Sequence, residues 1–238
     1  MKLSFSLLLV LATKTLMAQA QNTQELNNQS ASNNLQTIYH KTVQYKQNVF
    51  TGIEYFRNYG KINGHAFWNE NEFINGNVGY DGNIYPNLPL KLDLMVEELI
   101  THGVNQGVQI KIIREKIDSF TIGSVRFLHL TPDKNKVPDG FYEILHSQKY
   151  TVFCKRNKLI KEVIVQNELE RNIEEEAVYF LKNQDNIIVI KNRQILFDLF
   201  RDKKNQVLDY MSNLNLNFRK QKEAFIVESI KYYEQITN

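Results

Sequence analysis

Short polar links between apolar segments constrain the fold of this chain more than any other feature. Ser147-Gln148-Lys149 is one such link, and Asn183-Gln184-Asp185-Asn186 is another. A parallel strand pair needs a crossover of about a dozen residues, whereas an antiparallel pair needs only a hairpin turn. The links therefore predict that consecutive strands pair antiparallel, and no alternation of strand and helix patterns points to a parallel sheet.

The clearest strand pattern lies between Leu88 and Val96. Apolar residues occupy every second position there, with Lys91 and Asp93 among the residues between them. This period of two indicates one buried face and one solvated face. Upstream, Asp81-Gly82 supplies the positive φ angles of a two-residue hairpin turn. The other predicted strands are Val108–Ile112, Phe120–Ile122, Val125–Leu130, Gly140–His146, Tyr150–Lys155, Leu159–Val165, Ala177–Leu181 and Ile187–Ile190.

Helical patterns replace strand patterns after Lys191. Asn192 can cap a helix that begins at Arg193, and further helices are predicted over 205–211 and 221–235. The predicted fold is α+β: a mainly antiparallel sheet, meander or half-barrel-like, with a helical tail from about residue 192 packed on it. A separate helical module is the alternative. The acidic run 168–176 is interpreted as a solvated connection.

Residues 1–20 have the pattern of a cleavable secretory signal peptide. Lys2 provides the positive charge, residues 3–12 the apolar run, and Ala18-Gln19-Ala20 the cleavage site. A membrane anchor needs roughly 20 apolar residues, and Lys14 interrupts the run before that length. We expect a periplasmic or secreted mature protein, with outer-membrane association as a further option and no transmembrane helix. A flexible leader is predicted over 21–36 and a single β-rich domain over 37–238.

Charge and cysteine content exclude several classes of protein. The chain has 29 basic and 26 acidic residues, and loss of Lys2 and Lys14 with the signal leaves a net charge of +1. A nearly neutral protein has no general electrostatic reason to bind nucleic acid. Cys154 is the single cysteine, so it forms no internal disulfide. We interpret it as a buried hydrophobe rather than a catalytic thiol.

Five short segments resemble an uncharacterised family of exported, β-rich envelope proteins from gram-negative bacteria. The segments are Thr51-Gly52-Ile53-Glu54-Tyr55, Gly64-His65-Ala66-Phe67-Trp68, Tyr80 through Leu90, Gly140-Phe141-Tyr142-Glu143 and Leu216-Asn217-Phe218. The resemblance covers most of the mature chain. It implies an envelope location and a β-rich body, and it assigns no catalytic residue.

Catalytic and metal-binding motifs are missing from the sequence. The histidines have no zinc-site spacing, and there is neither a Gly-x-Ser-x-Gly elbow nor a phosphate-binding glycine loop. His129 alternates with apolar neighbours and is expected to face solvent. Asp93, Glu97 and Glu98 form an acidic cluster that a solvated sheet face explains, and an acid–base pair is the alternative. We assign no catalytic residue, no metal site and no cofactor.

Aromatic residues offer the best candidate for recognition. We single out Tyr55, Trp68, Tyr80 and Tyr85, which lie in a stretch rich in glycine and asparagine. Rings give rigid contact area and amides give directed hydrogen bonds, a combination suited to glycans or peptides. Filling of the core by these rings is the competing interpretation, because aromatic residues are enriched in strands.

The leading hypothesis is a non-enzymatic binding or accessory protein of the cell envelope. Its partner is a protein, a glycan or a lipid, and not a nucleic acid. One alternative is a hydrolase of envelope polymers that uses a carboxylate pair among Asp93, Glu97 and Glu98. The other is a periplasmic lipid carrier whose curved sheet holds an acyl chain.

Overall fold

The computed structural model describes residues 49–103, 107–132, 137–184 and 186–237. The predicted signal peptide (1–20), the predicted leader (21–36) and the first residues of the predicted domain (37–48) lie outside these ranges. From Val49 onward the chain clusters into one compact unit.

Eleven described strands form one open antiparallel sheet. Across the sheet their order is β1-β5-β4-β3-β2-β6-β7-β8-β9-β10-β11. In chain order the strands are β1 (Ile53–Glu54), β2 (Ile74–Tyr80), β3 (Asn83–Asp93), β4 (Glu98–His102), β5 (Gln109–Lys111), β6 (Ile117–Ile122), β7 (Val125–Leu130), β8 (Gly140–Ser147), β9 (Tyr150–Val165), β10 (Glu168–Asn183) and β11 (Asn186–Val189). The predicted antiparallel pairing is confirmed, because each described strand pair is antiparallel.

The β2–β3 hairpin turns at Asp81 and Gly82. Both residues have positive φ angles, 53° and 72°, as a two-residue turn of this kind requires. The chain then runs outward from β2 through β5, and β6 returns to pair with the other side of β2. From there to β11 every strand pairs with the next one along the chain. The predicted turn at Asp81-Gly82 is therefore confirmed.

The predicted solvated face of β3 is wrong at the end of the strand. Lys91 and Asp93 are buried there, as are Leu90 and Leu92 on the other face. The irregular segment 55–73, which we call the strap, supplies the cover. The ring centroids of Phe67 and Phe73 lie 4.3 and 4.7 Å from Lys91 Nζ, and two tyrosine hydroxyls of the strap donate hydrogen bonds to Asp93. Alternation indicates two faces, but it does not reveal which segments cover them.

Strands β9 and β10 form a long hairpin. The sequence predicted separate shorter strands and a solvated acidic connection over 168–176, and the connection is wrong, since those residues belong to β10. The acidic residues of this run meet basic residues across the hairpin: Lys161 lies 2.9 Å from Glu174. Gln166 and Asn167 make the turn with positive φ angles of 51° and 66°. Cross-strand charge pairs suit a strand as well as a loop.

Three described α-helices follow the sheet: α1 (Arg193–Phe200), α2 (Lys204–Asn213) and α3 (Lys222–Thr237). The predicted cap is confirmed, because Asn192 Oδ1 accepts a hydrogen bond of 3.0 Å from the Gln194 amide. The helices share one core with β9 and β10, so the prediction of a tail packed on the sheet is also confirmed. Within the described ranges, no helix is both long and apolar enough to span a membrane.

Candidate functional site

Asp93 is buried with its carboxylate fully engaged. Its Oδ2 accepts hydrogen bonds of 2.6 Å from the hydroxyls of Tyr55 and Tyr59. Its Oδ1 accepts bonds of 2.8 and 3.4 Å from the backbone amides of Met95 and Val96. A buried charge persists only when such partners satisfy it. Asp93 therefore fastens the strap and the following turn to β3, and it is closed off from any substrate.

The two tyrosines that bind Asp93 act as donors and not as bases. Burial raises the pKa of the Tyr55 hydroxyl above its ordinary range, and the hydrogen bond and negative charge of Asp93 raise it further. The pKa of Tyr59 is raised by the same three causes in the same order. Both hydroxyls thus keep their protons at physiological pH, and Tyr55 serves to hold the strap.

Glu97 and Glu98, the rest of the predicted acidic cluster, form separate ion pairs. Glu97 bonds Lys155 through Oε1 and Arg114 through Oε2, the latter at 3.2 Å. Glu98 pairs with Lys111 at 2.7 Å. Both glutamates line a pocket of about 270 Å³ at the β4–β5 edge. Two residues of the acidic cluster thus border a pocket, but the cluster is divided. The carboxylate of Asp93 is buried, and those of Glu97 and Glu98 form ion pairs with neighbouring cations.

Gly140 makes room for the Glu97 ion pair. A Cβ atom at this position would overlap both Lys155 Nζ and Glu97 Oε1. The turn residue Glu97 itself has a positive φ of 54°, which is uncommon for a residue other than glycine. Both features indicate that this junction is built to hold the ion pair in place.

The four aromatic residues predicted to bind a ligand are divided among three places. Tyr80 and Tyr85 are buried, and their rings meet edge to face with centroids 6.0 Å apart. Trp68 is half-buried, packs edge to face on Phe127 and donates from Nε1 to Glu143 at 3.4 Å. Tyr55 lies at Asp93. The fold therefore uses these rings in the core and in the strap, and it does not gather them into one binding surface.

The two other titratable residues considered in the sequence, His129 and Cys154, have buried side chains. His129 was expected to face solvent, and this is wrong: its side chain is 5% exposed, with Nδ1 at 2.9 Å from the Ile117 carbonyl oxygen. Cys154 is buried as predicted, and burial raises the pKa of its thiol to about 12. In the parts of the chain that the structure describes, no three His, Cys, Asp or Glu side chains form a group able to hold a metal ion.

A larger pocket opens in the helical tail. It has a volume of about 630 Å³, and we call it the tail pocket. It lies where the start of α1, the body of α2 and the α2–α3 connection meet. Its lining residues are Lys191, Asn192, Arg193, Leu208, Met211, Ser212, Leu216, Asn217, Phe218, Arg219 and Phe225.

The lining of the tail pocket combines exposed cations with buried or half-buried apolar side chains. Three exposed cations, Lys191, Arg193 and Arg219, form what we call the basic rim. The apolar floor consists of Leu208, Met211, Leu216, Phe218 and Phe225. Among the described residues, no Asp or Glu lines the pocket. Such a cleft can take an apolar group on its floor and a negative charge at its rim.

A loop motif positions the rim residue Arg219. Asn217 Oδ1 accepts a hydrogen bond of 2.9 Å from the Arg219 backbone amide and one of 3.4 Å from that of Lys220. On the floor, the rings of Phe218 and Phe225 meet edge to face with centroids 5.6 Å apart. The connection between α2 and α3 is thus shaped by its own asparagine and anchored by an aromatic pair.

Sequence reasoning did not predict the tail pocket. It recognised the Asn192 cap and the Leu216-Asn217-Phe218 segment, but it assigned neither to a site. The basic rim joins residues 191 and 193 to residue 219, and no spacing rule links positions so far apart. The available signal was basic residues at two predicted helix boundaries, each beside apolar helical residues.

Comparison with known proteins adds no relative. No family model, curated protein or solved structure matches this chain.

Proposed function

We propose that this chain is an exported, non-enzymatic binding protein of the cell envelope, and that its ligand occupies the tail pocket. The observation that carries the proposal is the 630 Å³ cleft with a basic rim and an apolar floor. Its volume falls within the range of about 300–1,000 Å³ that is typical of ligand pockets. Five of its lining residues are apolar and six are polar or charged. The signal-peptide pattern of residues 1–20 supports export.

A binding role is favoured over the hydrolase alternative by the state of the acidic cluster. A general acid or base must lie within hydrogen-bonding reach of a substrate proton. Asp93 is buried under the strap, and the oxygens of Glu97 are taken by Lys155, Arg114 and the Phe141 amide. These contacts serve the fold, so Asp93, Glu97 and Glu98 do not provide two unpaired carboxylates in a common cleft.

Native mass spectrometry of the exported protein tests the binding role. The full chain is expressed in a gram-negative host and purified from the periplasm without denaturant. We expect a mature protein that begins at Gln21 and carries a bound small molecule. We also expect that molecule to be lost from an Arg193→Glu, Arg219→Glu double variant. Lys220→Glu is the matched control, because Lys220 is exposed and adjacent to the rim without lining the pocket.

Two results contradict the proposal. If both variants retain the same bound molecule as the natural sequence, the ligand is held outside the tail pocket. If the protein instead degrades purified envelope polymer, and Glu97→Gln or Glu98→Gln abolishes the degradation, the hydrolase alternative replaces the binding role.

A further inference from the structure

We infer that the tail pocket selects single-chain amphiphilic anions, with the carboxylate or phosphate head at the basic rim and the alkyl chain along the apolar floor. This inference rests on the proposed function and specifies its ligand class. It also moves the lipid-carrier idea from the sheet to the helical tail, because apolar side chains already pack against both faces of the sheet at the start of β9 and the end of β10.

The head-group preference follows from uncompensated positive charge. Lys191, Arg193 and Arg219 form no ion pair with a carboxylate in the described ranges. Arg156 on β9 is a contrasting case, because it lies within 3.1 Å of Glu143, Glu175 and Glu223. Guanidinium groups bind carboxylate and phosphate through paired N–H donors. The three rim cations therefore have no carboxylate partner within the described residues, and an anionic ligand can provide one.

The preference for a ligand with an alkyl chain follows from the apolar floor of the pocket. Met211 and Phe225 are 1% and 5% exposed, while Leu208, Leu216 and Phe218 are half-buried around them. Met211 has a flexible, unbranched side chain of the kind that fills irregular apolar gaps, which suits the variable shape of an alkyl chain. Each methylene that the floor removes from water should tighten binding about fourfold until the pocket is full. A small hydrophilic anion gains nothing from this surface.

Titration calorimetry with four probes separates head from chain. The probes are dodecanoate, dodecyl phosphate, dodecyltrimethylammonium and acetate, each below its micelle concentration. We expect binding of the first two, and the stronger of them identifies the carboxylate or the phosphate source. We expect no binding of the cationic amphiphile or of acetate. Decanoate should bind more weakly than dodecanoate, and octanoate more weakly still.

Variants locate the binding in the tail pocket. We expect Arg193→Gln with Arg219→Gln to weaken dodecanoate binding at least about tenfold, since charged hydrogen bonds at the rim are lost. Lys220→Gln should leave the affinity unchanged. Phe218→Ser should flatten the dependence on chain length while preserving the preference for an anion. Circular dichroism of each variant verifies that the helical tail is folded.

The inference is overturned if dodecyltrimethylammonium binds as tightly as dodecanoate, or if the rim variants bind dodecanoate like the natural sequence. Failure of this inference differs from failure of the proposed function. If the periplasmic protein carries a rim-dependent ligand but none of the amphiphilic anions binds, the ligand class is wrong and the binding role stands. If neither result is obtained, both are rejected.

Discussion

A single carboxylate explains how an irregular segment is held against the sheet. Asp93 carries a charge in a buried position, which is costly unless hydrogen bonds compensate it. Two tyrosine hydroxyls from the strap and two backbone amides of the next turn provide that compensation. Asp93 is therefore a structural residue, although its place in the sequence suggested either a solvated position or an acid–base role.

Tyr55→Phe tests this assignment. The variant removes one donor to Asp93 Oδ2 and leaves the ring in place. We expect the free energy of unfolding to fall by about 1.5–3 kcal/mol, the usual contribution of a hydrogen bond to a charged group. Urea denaturation followed by circular dichroism measures the change.

Tyr210→Phe is the matched control for that variant. Tyr210 stacks on Tyr232 in the helical tail, and its hydroxyl forms no hydrogen bond within the described residues. Its loss should change the unfolding free energy by less than about 0.5 kcal/mol. Equal effects of the two substitutions would contradict the role given to Asp93.

Helix α3 is joined to the sheet by a polar contact inside an apolar core. Glu234 is 2% exposed, and its two oxygens contact His146 Nε2 at 2.6 Å and the Tyr150 amide at 2.7 Å. These partners lie on β8 and at the start of β9. Burying a carboxylate is unfavourable by itself, but its two contacts set where the helix can sit.

Glu234→Ala should therefore be strongly destabilising. The variant leaves a cavity and exposes His146 and the Tyr150 amide to an apolar environment without their partner. We expect a loss of about 3–5 kcal/mol in the free energy of unfolding. Thermal and urea unfolding measure it. Glu228→Ala is the control on the same helix, because Glu228 makes only a partly exposed i,i+3 pair with Lys231, which contributes less than about 1 kcal/mol.

Sequence patterns predicted which helices and strands are present better than they predicted how long the strands are. The Asn192 cap and the three helical segments were predictable, because capping and helical periodicity depend on neighbours within a turn or two. The length of β9 and β10 was not, because charged residues such as Lys161 and Glu174 resemble a solvated connection until the hairpin brings them together as diagonal neighbours on facing strands. A local pattern cannot supply that register.

A buried thiol and a buried tyrosine hydroxyl make the stability of the protein depend on pH in the alkaline range. Burial raises the pKa of Cys154 to about 12. The pKa of Tyr142 also rises to about 12, first through burial and then through the negative charges of Glu97 and Asp139. In the unfolded chain these groups lose their protons near pH 9 and 10, while the folded protein retains them. The stability that these two groups contribute is therefore fully present below about pH 8.5 and is lost as pH rises toward 12.

Urea midpoints measured between pH 7 and pH 11 test this dependence. We expect a plateau to about pH 8.5 and then a steady decline. Cys154→Ala should weaken the decline between pH 9 and 10, since one of the proton-releasing groups of the unfolded state is gone. A midpoint that rises over this interval, or an unaltered slope in the variant, would show that these protons are not retained on folding.

Local chemistry was enough to predict the antiparallel sheet, the turn at Asp81-Gly82, the helix cap at Asn192 and the buried thiol of Cys154. Each depends on backbone angles, hydrogen bonds or polarity within a few residues. Contacts between distant segments determined the rest: the cover over Asp93, the burial of Tyr80 and Tyr85, and the meeting of Lys191 and Arg193 with Arg219. Those contacts exist only once the strap and the helices have packed, because the sequence period shows that a face is buried but not which segment buries it.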